Sequence, residues 1–445
     1  METYNTDDII YALATGWNQS ALAIIRISGK GCLKALSSCF SRPKSLLNSK
    51  NATLLHGFIV GENNHKIDEV VLSINLEGHG YTKEEAVEIT THGSLAVITE
   101  IMNLLSNNGM RQAKGGEFTL RAFLNGAMDL TQAEAVHELV TSQSQMERGL
   151  ALGRLEGTLH NRIEELKQNL LGAMAIIEVQ LDYAEDEVED FDFPLSVISD
   201  TRDSIASLSD TYETGRLYSQ GVKIVLAGST NAGKSSLFNL LLKQKRAIVS
   251  DIQGTTRDYI EAQTVIRGVP VRLFDTAGLR DSSDLIENEG IKRTKELIDI
   301  CDVVIYLVDG VDENTIIDRS IIDNSKTILA YTKRDIKHRK EAISISTITG
   351  EGLDHLFDAI LEKTASGISI SDDSTLVIES SRQHKLLEEA REALNTALEL
   401  NSIDMGLDII AQELNNAITA LGGLTGEITS DDVLDKVFGG FCVGK

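Results

Sequence analysis

The densest chemical signal in the chain is Gly228-Ser-Thr-Asn-Ala-Gly-Lys-Ser235, which has the form GxxxxGK[ST]. It stands between an apolar run, Val222 to Ala227, and a helical pattern, Ser236 to Leu242. Backbone N–H groups of a glycine-rich loop at a helix start cradle phosphates. A lysine at the place of Lys234 reaches the β- and γ-phosphates, and a hydroxyl at Ser235 binds Mg²⁺. Asp275-Thr-Ala-Gly278 ends the next apolar run, where a carboxylate can reach the metal shell and a glycine N–H can sense the γ-phosphate. Between the two lies the polar stretch Gly254-Thr-Thr-Arg-Asp258. Thr255 and Thr256 both offer a second hydroxyl to Mg²⁺, and spacing alone does not separate them.

Thr332-Lys-Arg-Asp335 follows the run Thr327 to Tyr331, at the place where GTPases carry [NT]KxD. The carboxylate of such an aspartate accepts two hydrogen bonds from the guanine edge, a contact adenine cannot make. Thr332 stands where Asn is commoner, so guanine selection is expected to rest on Asp335 with fewer contacts from its neighbour. Ser346-Thr-Ile-Thr-Gly-Glu-Gly352 resembles the last GTPase loop, with Thr347 in place of the usual Ala. After Gly278 come Leu279 and Arg280, where Ras-like enzymes hold the attacking water with a Gln, and an aliphatic side chain cannot orient water. Glu287, in the acidic stretch Asp284 to Glu289, is the candidate base or water-positioner; the alternative is a stretch that only solvates a helix start.

These motifs need a scaffold. From Val222 apolar strands alternate with helices: Val271 to Phe274, Val303 to Val308, Thr327 to Tyr331 and Ala342 to Ile345 follow the first. That alternation implies a parallel sheet with helices on both faces. Residues 1–118 mix short β-rich runs (Ala21 to Ser28, Thr53 to Val60, Glu69 to Leu76, Ala86 to Thr90) with helical patterns at Leu33 to Phe40 and Ser94 to Leu105, which predicts an α+β domain. Thr131-Gln-Ala-Glu134 has the form of a capping box before a helix. Ile163, Leu166, Leu170, Ala173, Ile177 and Leu181 form the stripe of a long amphipathic helix, and Leu387, Ala390, Leu394 and Leu398 repeat the pattern near the C-terminus. The expected fold is therefore multidomain, α/β plus α+β. Its parts are an N-terminal α+β domain (1–118), a central helical bundle (119–220 and 374–445) and an inserted P-loop domain of Ras-like type (221–373).

Composition narrows the class. With 445 residues, 42% of them apolar, the chain can bury several cores. Lys and Arg total 42 against 67 Asp and Glu, a net charge of −25, which argues against a general basic coat for nucleic acid. Only three prolines leave no room for proline-rich linkers. Met1 to Ser20 has no apolar core, and the longest clear apolar stretch, Leu170 to Ile177, is far short of the roughly 20 residues that span a bilayer, so a soluble cytoplasmic protein is expected. Cys32, Cys39, Cys301 and Cys442 show neither a disulfide framework nor zinc-ligand spacing.

The whole chain resembles the bacterial MnmE (TrmE) family of tRNA modification GTPases. The likeness is carried by Ala23-Ile-Ile-Arg-Ile-Ser-Gly29, Val87-Glu-Ile-Thr-Thr-His-Gly93, Gly116-Glu-Phe-Thr-Leu-Arg-Ala-Phe-Leu-Asn125, the two nucleotide loops and the terminal Phe441-Cys-Val-Gly-Lys445. It implies an N-terminal tetrahydrofolate-binding and dimerising domain, a helical domain and an inserted G domain. It further implies a homodimer that hydrolyses GTP and, with a flavin-dependent MnmG-type partner in a hetero-oligomer, modifies position 5 of the wobble uridine of certain tRNAs. The one-carbon unit would come from 5-formyl- or methylene-tetrahydrofolate, and paired G domains would be stimulated by K⁺. Carried over residue by residue, GTP would meet Asn231, Ala232, Gly233, Lys234, Ser235 and Ser236 of the first loop. The second loop would supply Ser250, Asp251, Ile252, Gln253, Gly254, Thr255 and Thr256. Asp275, Thr276, Ala277 and Gly278, then Thr332, Lys333, Asp335, Ser346 and Thr347, complete that site. Mg²⁺ would take Ser235 and Thr256; K⁺ would take Asn231, Ser250, Ile252 and Thr255. Glu287, twelve residues after Asp275, matches the family's catalytic glutamate.

Arg26, Glu88, Ala127 and Lys445 match the folate positions. Read as isolated residues, Arg26 and Glu88 would be a surface ion pair. Ala127 replaces a Lys common in the family, and Thr15-Gly-Trp-Asn-Gln-Ser-Ala21 replaces a Pro- and Gly-rich loop with a further Arg. Both departures predict weaker or rearranged folate binding. Cys442 has three readings: a buried small hydrophobe, a reactive thiolate, or part of the folate pocket; the family motif favours a role in modification. Asp182 to Asp192 holds seven carboxylates in eleven residues, a solvated helix end or a docking face for a basic partner. The alternative function is a ribosome-assembly GTPase acting as a binding switch. Such proteins append a basic RNA-binding module, whereas Leu376 to Lys445 has 5 Lys/Arg against 12 Asp/Glu, a net of −7. A folate-dependent aminomethyl transferase with an accessory switch is a third reading.

Overall fold

A computed structural model describes residues 6–182, 192–229, 231–243, 260–275, 297–312, 317–339, 342–364, 376–403 and 405–444. The acidic run expected at 182–192 falls almost wholly outside them. Contacts divide the chain into two compact units, one of Met1–His137, Arg154–Leu171 and Ile418–Lys445, the other of Glu138–Gly153 and Gly172–Ala417.

In the first unit six strands form one sheet: β1 (Ile10–Leu13), β2 (Leu22–Ser28), β3 (Thr53–Val60), β4 (Lys66–Asn75), β5 (Ala86–His92) and β6 (Arg111–Gln112), in the order β3-β4-β5-β2-β1-β6. Every pairing is antiparallel except β1 with β6. The period of two does the positioning. In β2, Ala23, Ile25 and Ile27 are buried on one face, against Ile98, Ile101 and Leu105 of the helix Leu95–Asn107, while Ile24 and Arg26 lie half-buried on the other. The register sets Arg26 opposite Glu88 of β5.

The helix Glu117–Leu124 is fastened to this sheet by charge. Arg121, 1% exposed, donates to the Asp8 carbonyl at 2.8 Å, to its carboxylate, and to Glu117 at 3.3 Å. Arg111 donates to Asp8 and to Glu117, each at 2.6 Å. Burial pushes both carboxyls up, but the hydrogen bonds from Arg111, joined at Asp8 by those from Arg121, outweigh it and hold both below the usual carboxylate range.

Two sequence expectations shift here. The helix after residue 129 spans Leu130–Thr141, so Thr131 lies inside it. The reciprocal box is Asp129 with Gln132: the Gln132 N–H donates to Asp129 Oδ1 at 2.8 Å, and the Asp129 N–H to Gln132 Oε1 at 3.0 Å. In the long helix Thr158–Asp182 the buried stripe runs from Ile163 to Ile177 and stops there; Leu181 is 45% exposed.

The second unit holds the strand–helix alternation. β7 (Val222–Gly228), β8 (Ile260–Ile266), β9 (Val269–Asp275), β10 (Val303–Asp309), β11 (Thr327–Thr332) and β12 (Ile343–Ser344) make a sheet of order β12-β11-β10-β7-β9-β8. All pairs are parallel except β8 with β9. β10 is buried from Val303 to Val308, as a strand covered on both faces must be. The helix Leu195–Ser209 packs along the helix Ser381–Ser402, with Ser209 Oγ 2.9 Å from His384 Nδ1 and Tyr212 stacked on His384 at 4.3 Å.

The helix Tyr212–Gln220 joins this helical pair to the sheet. Its Leu217 enters the sheet core, and Arg216 reaches Asp302 at 3.4 Å. On its other side the Ile378 N–H donates to Thr211 Oγ1 at 3.0 Å, and a Cβ on Gly215 would come within 2.0 Å of the Ile378 carbonyl oxygen. Only glycine permits that approach.

Candidate functional site

The carboxyl ends of the parallel strands gather the nucleotide motifs. Gly228 pairs with Leu307 of β10, Leu226 with Asp275 of β9, and Asp309 with Thr332 of β11. At Gly228, φ is +131° and a Cβ would meet the Leu307 carbonyl oxygen at 2.1 Å, so the loop must leave β7 through a glycine. Asn231 and Gly233 are left-handed, with φ of +63° and +91°, and the helix Lys234–Lys243 follows at once. Such alternation turns successive N–H groups toward one concavity, and the helix start adds its positive dipole end. Lys234, 9% exposed, folds its ammonium over the loop and donates to the carbonyls of Gly228 at 2.9 Å and Ser229 at 2.8 Å.

Thr332 does not present its hydroxyl as the sequence suggested. It is 2% exposed, and Oγ1 donates to the Val308 carbonyl at 3.3 Å. Its methyl carbon is 3.4 Å from where a Gly233 Cβ would stand, so Thr332 is a packing contact between the end of β11 and the phosphate loop. Asp335 is exposed and is oriented by Ser346, whose hydroxyl donates to Oδ1 at 2.6 Å. Ser346 Oγ in turn accepts the N–H groups of Ile348 at 3.3 Å and Thr349 at 3.1 Å. One buried hydroxyl therefore fixes both the carboxylate and the turn that follows Thr347.

A second polar centre lies in the first unit. Arg26 donates through Nε and Nη2 to Glu88 Oε1 at 2.9 and 2.8 Å, and through Nη1 to the Gly444 carbonyl at 3.3 Å. Its guanidinium lies 5.4 Å from the Tyr81 ring and 5.6 Å from that of Phe118. Residues 441–444 are thus part of this centre. Val443 bridges Gly115, the Gly116 N–H donates to the Cys442 carbonyl at 3.3 Å, and Phe441 stacks on His137 at 4.9 Å. Gly444 has φ of +95°, and a Cβ there would meet the Leu13 carbonyl oxygen at 2.5 Å.

Of the residues singled out from sequence, Asn231 to Ser236, Thr332, Lys333, Asp335, Ser346 and Thr347 lie on these loops, and Arg26 and Glu88 meet. Asp275 ends β9. Ala127 lies in the turn after the helix Glu117–Leu124, where its N–H donates to the Ala122 carbonyl rather than joining the Arg26–Glu88 pair. Cys442 is exposed with a free thiol, which corrects the reading of it as a buried small hydrophobe. Ser250 to Thr256, Thr276, Ala277, Gly278, Glu287 and Lys445 lie outside the described residues. Sequence reasoning missed Asp309, Tyr81, Phe118 and Gly444. Asp309 left a signal, a carboxylate closing the apolar run of β10, and Phe118 and Gly444 stand inside the motifs of residues 116–125 and 441–445. Among the described residues no cluster of three or more His, Cys, Asp or Glu could hold a metal ion, and no helix is long and apolar enough to cross a membrane.

Two family models match the chain: the GTP-binding protein TrmE N-terminus over residues 9–127 and the MnmE helical domain over residues 130–442. The chain belongs to the MnmE family of tRNA modification GTPases. It is 40% identical to the tRNA modification GTPase MnmE of Treponema denticola and 38% identical to that of Borrelia recurrentis, in each case over 99% of both chains. The G domain of the T. maritima FeoB iron transporter is 29% identical over 32% of this chain and 98% of that one, at a TM-score of 0.26, which adds nothing to the topology above. As a member of the MnmE family the chain has a multidomain fold, α/β plus α+β, with an N-terminal α+β domain, a helical domain and a P-loop GTPase domain.

Proposed function

We propose that this MnmE-family chain is a K⁺-stimulated GTP hydrolase that, with a flavin-dependent MnmG-type partner, modifies position 5 of the wobble uridine of certain tRNAs using a one-carbon unit from tetrahydrofolate. The coarser part, GTP hydrolysis in tRNA modification, follows from family membership. The division into 1–118, a helical domain of 119–220 with 374–445, and a G domain of 221–373 belongs to the same proposal, as do a homodimer, a hetero-oligomer with the partner, and a cytoplasmic site of action.

In the GTP half, loop N–H groups and Lys234 bind the phosphates, while Asp335, oriented by Ser346, selects guanine. Ser235 and Thr256 would hold Mg²⁺, which supplies charge neutralisation at the phosphates when bound. Asn231, with oxygens of Ser250, Ile252 and Thr255, would hold K⁺ beside them. Glu287 would position the attacking water, a task neither Leu279 nor Arg280 can perform.

The observation that carries the modification half is the seating of the Cys442-Val-Gly444 segment against Arg26. A reduced pterin offers amino and amide donors. Glu88 fits such donors, because Oε1 takes both Arg26 bonds and Oε2 accepts none from the described residues. Tyr81 and Phe118 supply apolar walls beside it. Lys445 would meet an anionic part of the folate, Ala127 would give only a methyl, and Cys442, two residues before Gly444 in the chain, keeps an exposed thiol. With a net charge of −25, most of the grip on tRNA would fall to the partner or to confined patches.

Nucleoside analysis of tRNA from cells lacking this chain tests the modification. Loss of the wobble-uridine modification, restored by the wild-type chain, is expected; unchanged uridines would sink the proposal. Turnover of GTP in K⁺ and in Na⁺ at equal ionic strength tests the metal assignment, and equal rates would remove K⁺ from it.

A further inference from the structure

We infer that Asp309 is a positioning residue for guanine-nucleotide binding, acting through Lys333 from the end of the neighbouring strand. The inference rests on the GTP-site reading above and deepens it.

Among the described residues Lys333 is one of few other than glycine with left-handed backbone, at φ +61°. That conformation is unfavourable for a residue with a Cβ and needs to be held. Asp309 supplies the hold. The Lys333 ammonium donates to Asp309 Oδ2 at 2.5 Å, while Oδ1 accepts the Val311 N–H at 3.0 Å, so one carboxylate fixes both the lysine and its own turn. The backbones are tied as well. The Gly310 N–H donates to the Thr332 carbonyl at 3.1 Å, and a Cβ on Gly310 would come within 2.3 Å of that oxygen. Arg339 closes the far side, stacked 4.6 Å from the Tyr331 ring with Nε 3.4 Å from the Gly310 carbonyl.

Exposure separates the roles. The Asp309 side chain is 15% exposed and that of Lys333 is 43% exposed, so the lysine is tethered by its head while its side chain stays partly open, two residues before Asp335. Burial pushes the Asp309 carboxyl up, but the Lys333 bond and the Val311 N–H overcome it and keep it ionised. A free lysine stem must be ordered when a base packs on it, at a cost in rotamer entropy. Asp309 meets that cost before the nucleotide arrives. Its loss therefore weakens binding of GTP and GDP alike and leaves the chemical step.

The test uses the purified full-length chain, with GDP and GTP affinities by fluorescence titration and steady-state turnover. Asp309→Asn is expected to raise the Kd of both nucleotides and the KM for GTP by about tenfold, with kcat changed by less than about twofold. In a Lys333→Met background the same change is expected to have little further effect, because the interaction it removes is already gone. Asp309→Glu keeps the charge one methylene further out and is expected to recover most of the affinity. Wild-type affinity in Asp309→Asn, full additivity with Lys333→Met, or Asp309→Glu binding no better than Asp309→Asn would each overturn the inference. A wild-type chain that binds neither nucleotide would instead remove the GTP-site reading itself, and would show before any variant is compared.

Discussion

The two polar centres of this chain are built in opposite ways. The nucleotide loops are local. Each functional group lies within a few residues of a strand end, and glycines at 228, 233, 310 and 352 let backbones meet where a Cβ would collide or φ is left-handed. The centre around Arg26 is long-range, joining β2, β5, Phe118 and a carbonyl 418 residues away at Gly444. The helix that carries Phe118 is fastened by charges that satisfy one another, Arg121 and Glu117 buried, Arg111 and Asp8 partly exposed. The first design tolerates change elsewhere in the chain. The second should fail whenever a distant partner is lost.

That contrast can be broken by separating the two. Lys234→Ala should lower GTP turnover by at least about 100-fold, through loss of charge at the phosphates. It should leave denaturant unfolding of the first unit unchanged; a shift there would deny the independence of the two centres. Arg121→Met should do the reverse. It takes the buried cation from Asp8 and Glu117, which then keep Arg111, and losing a charged hydrogen-bond partner costs about 1–3 kcal/mol. Urea unfolding of the first unit is the readout, with turnover per folded molecule retained. Gly444→Ala should cost about 1–2 kcal/mol, from the left-handed backbone and the contact with Leu13. It should unseat the terminal segment and weaken titrated tetrahydrofolate binding, while GTP turnover stays constant.

The smallest effect is one of pH. Asp8 and Glu117 have carboxyls held below their ordinary values of 3.8 and 4.5. Their stabilisation is fully present above those values and is lost as pH falls through the lowered folded-state ones. The urea midpoint of the first unit should therefore be insensitive to these groups above pH 4.5 and fall below it, less steeply in Arg111→Ala.

The same contrast explains what the sequence could convey. GxxxxGK[ST] is read directly because its chemistry and its backbone demands occupy one short stretch. β10 is visible as an unbroken apolar run, whereas β8, the edge strand Ile260–Ile266, is interrupted by Glu261 and Gln263 and shows no such run. The Asp309–Lys333 contact spans 24 residues and leaves only an aspartate at a strand end as a trace. Thr131-x-x-Glu134 and Asp129-x-x-Gln132 are equally good boxes on paper. The helix start at Leu130 decides between them. Cys442 is of a type usually buried, yet its thiol is exposed because the backbone of the tail, not its side chain, pairs with Gly115 and Gly116.

Under the function proposed above, both centres serve one reaction on tRNA. Wobble-uridine analysis in cells whose only copy of the chain carries Arg26→Ala, beside cells carrying Lys234→Ala, tests it most directly. Both variants are expected to lose the modification although purified Arg26→Ala still turns over GTP. Full modification by Arg26→Ala would contradict it.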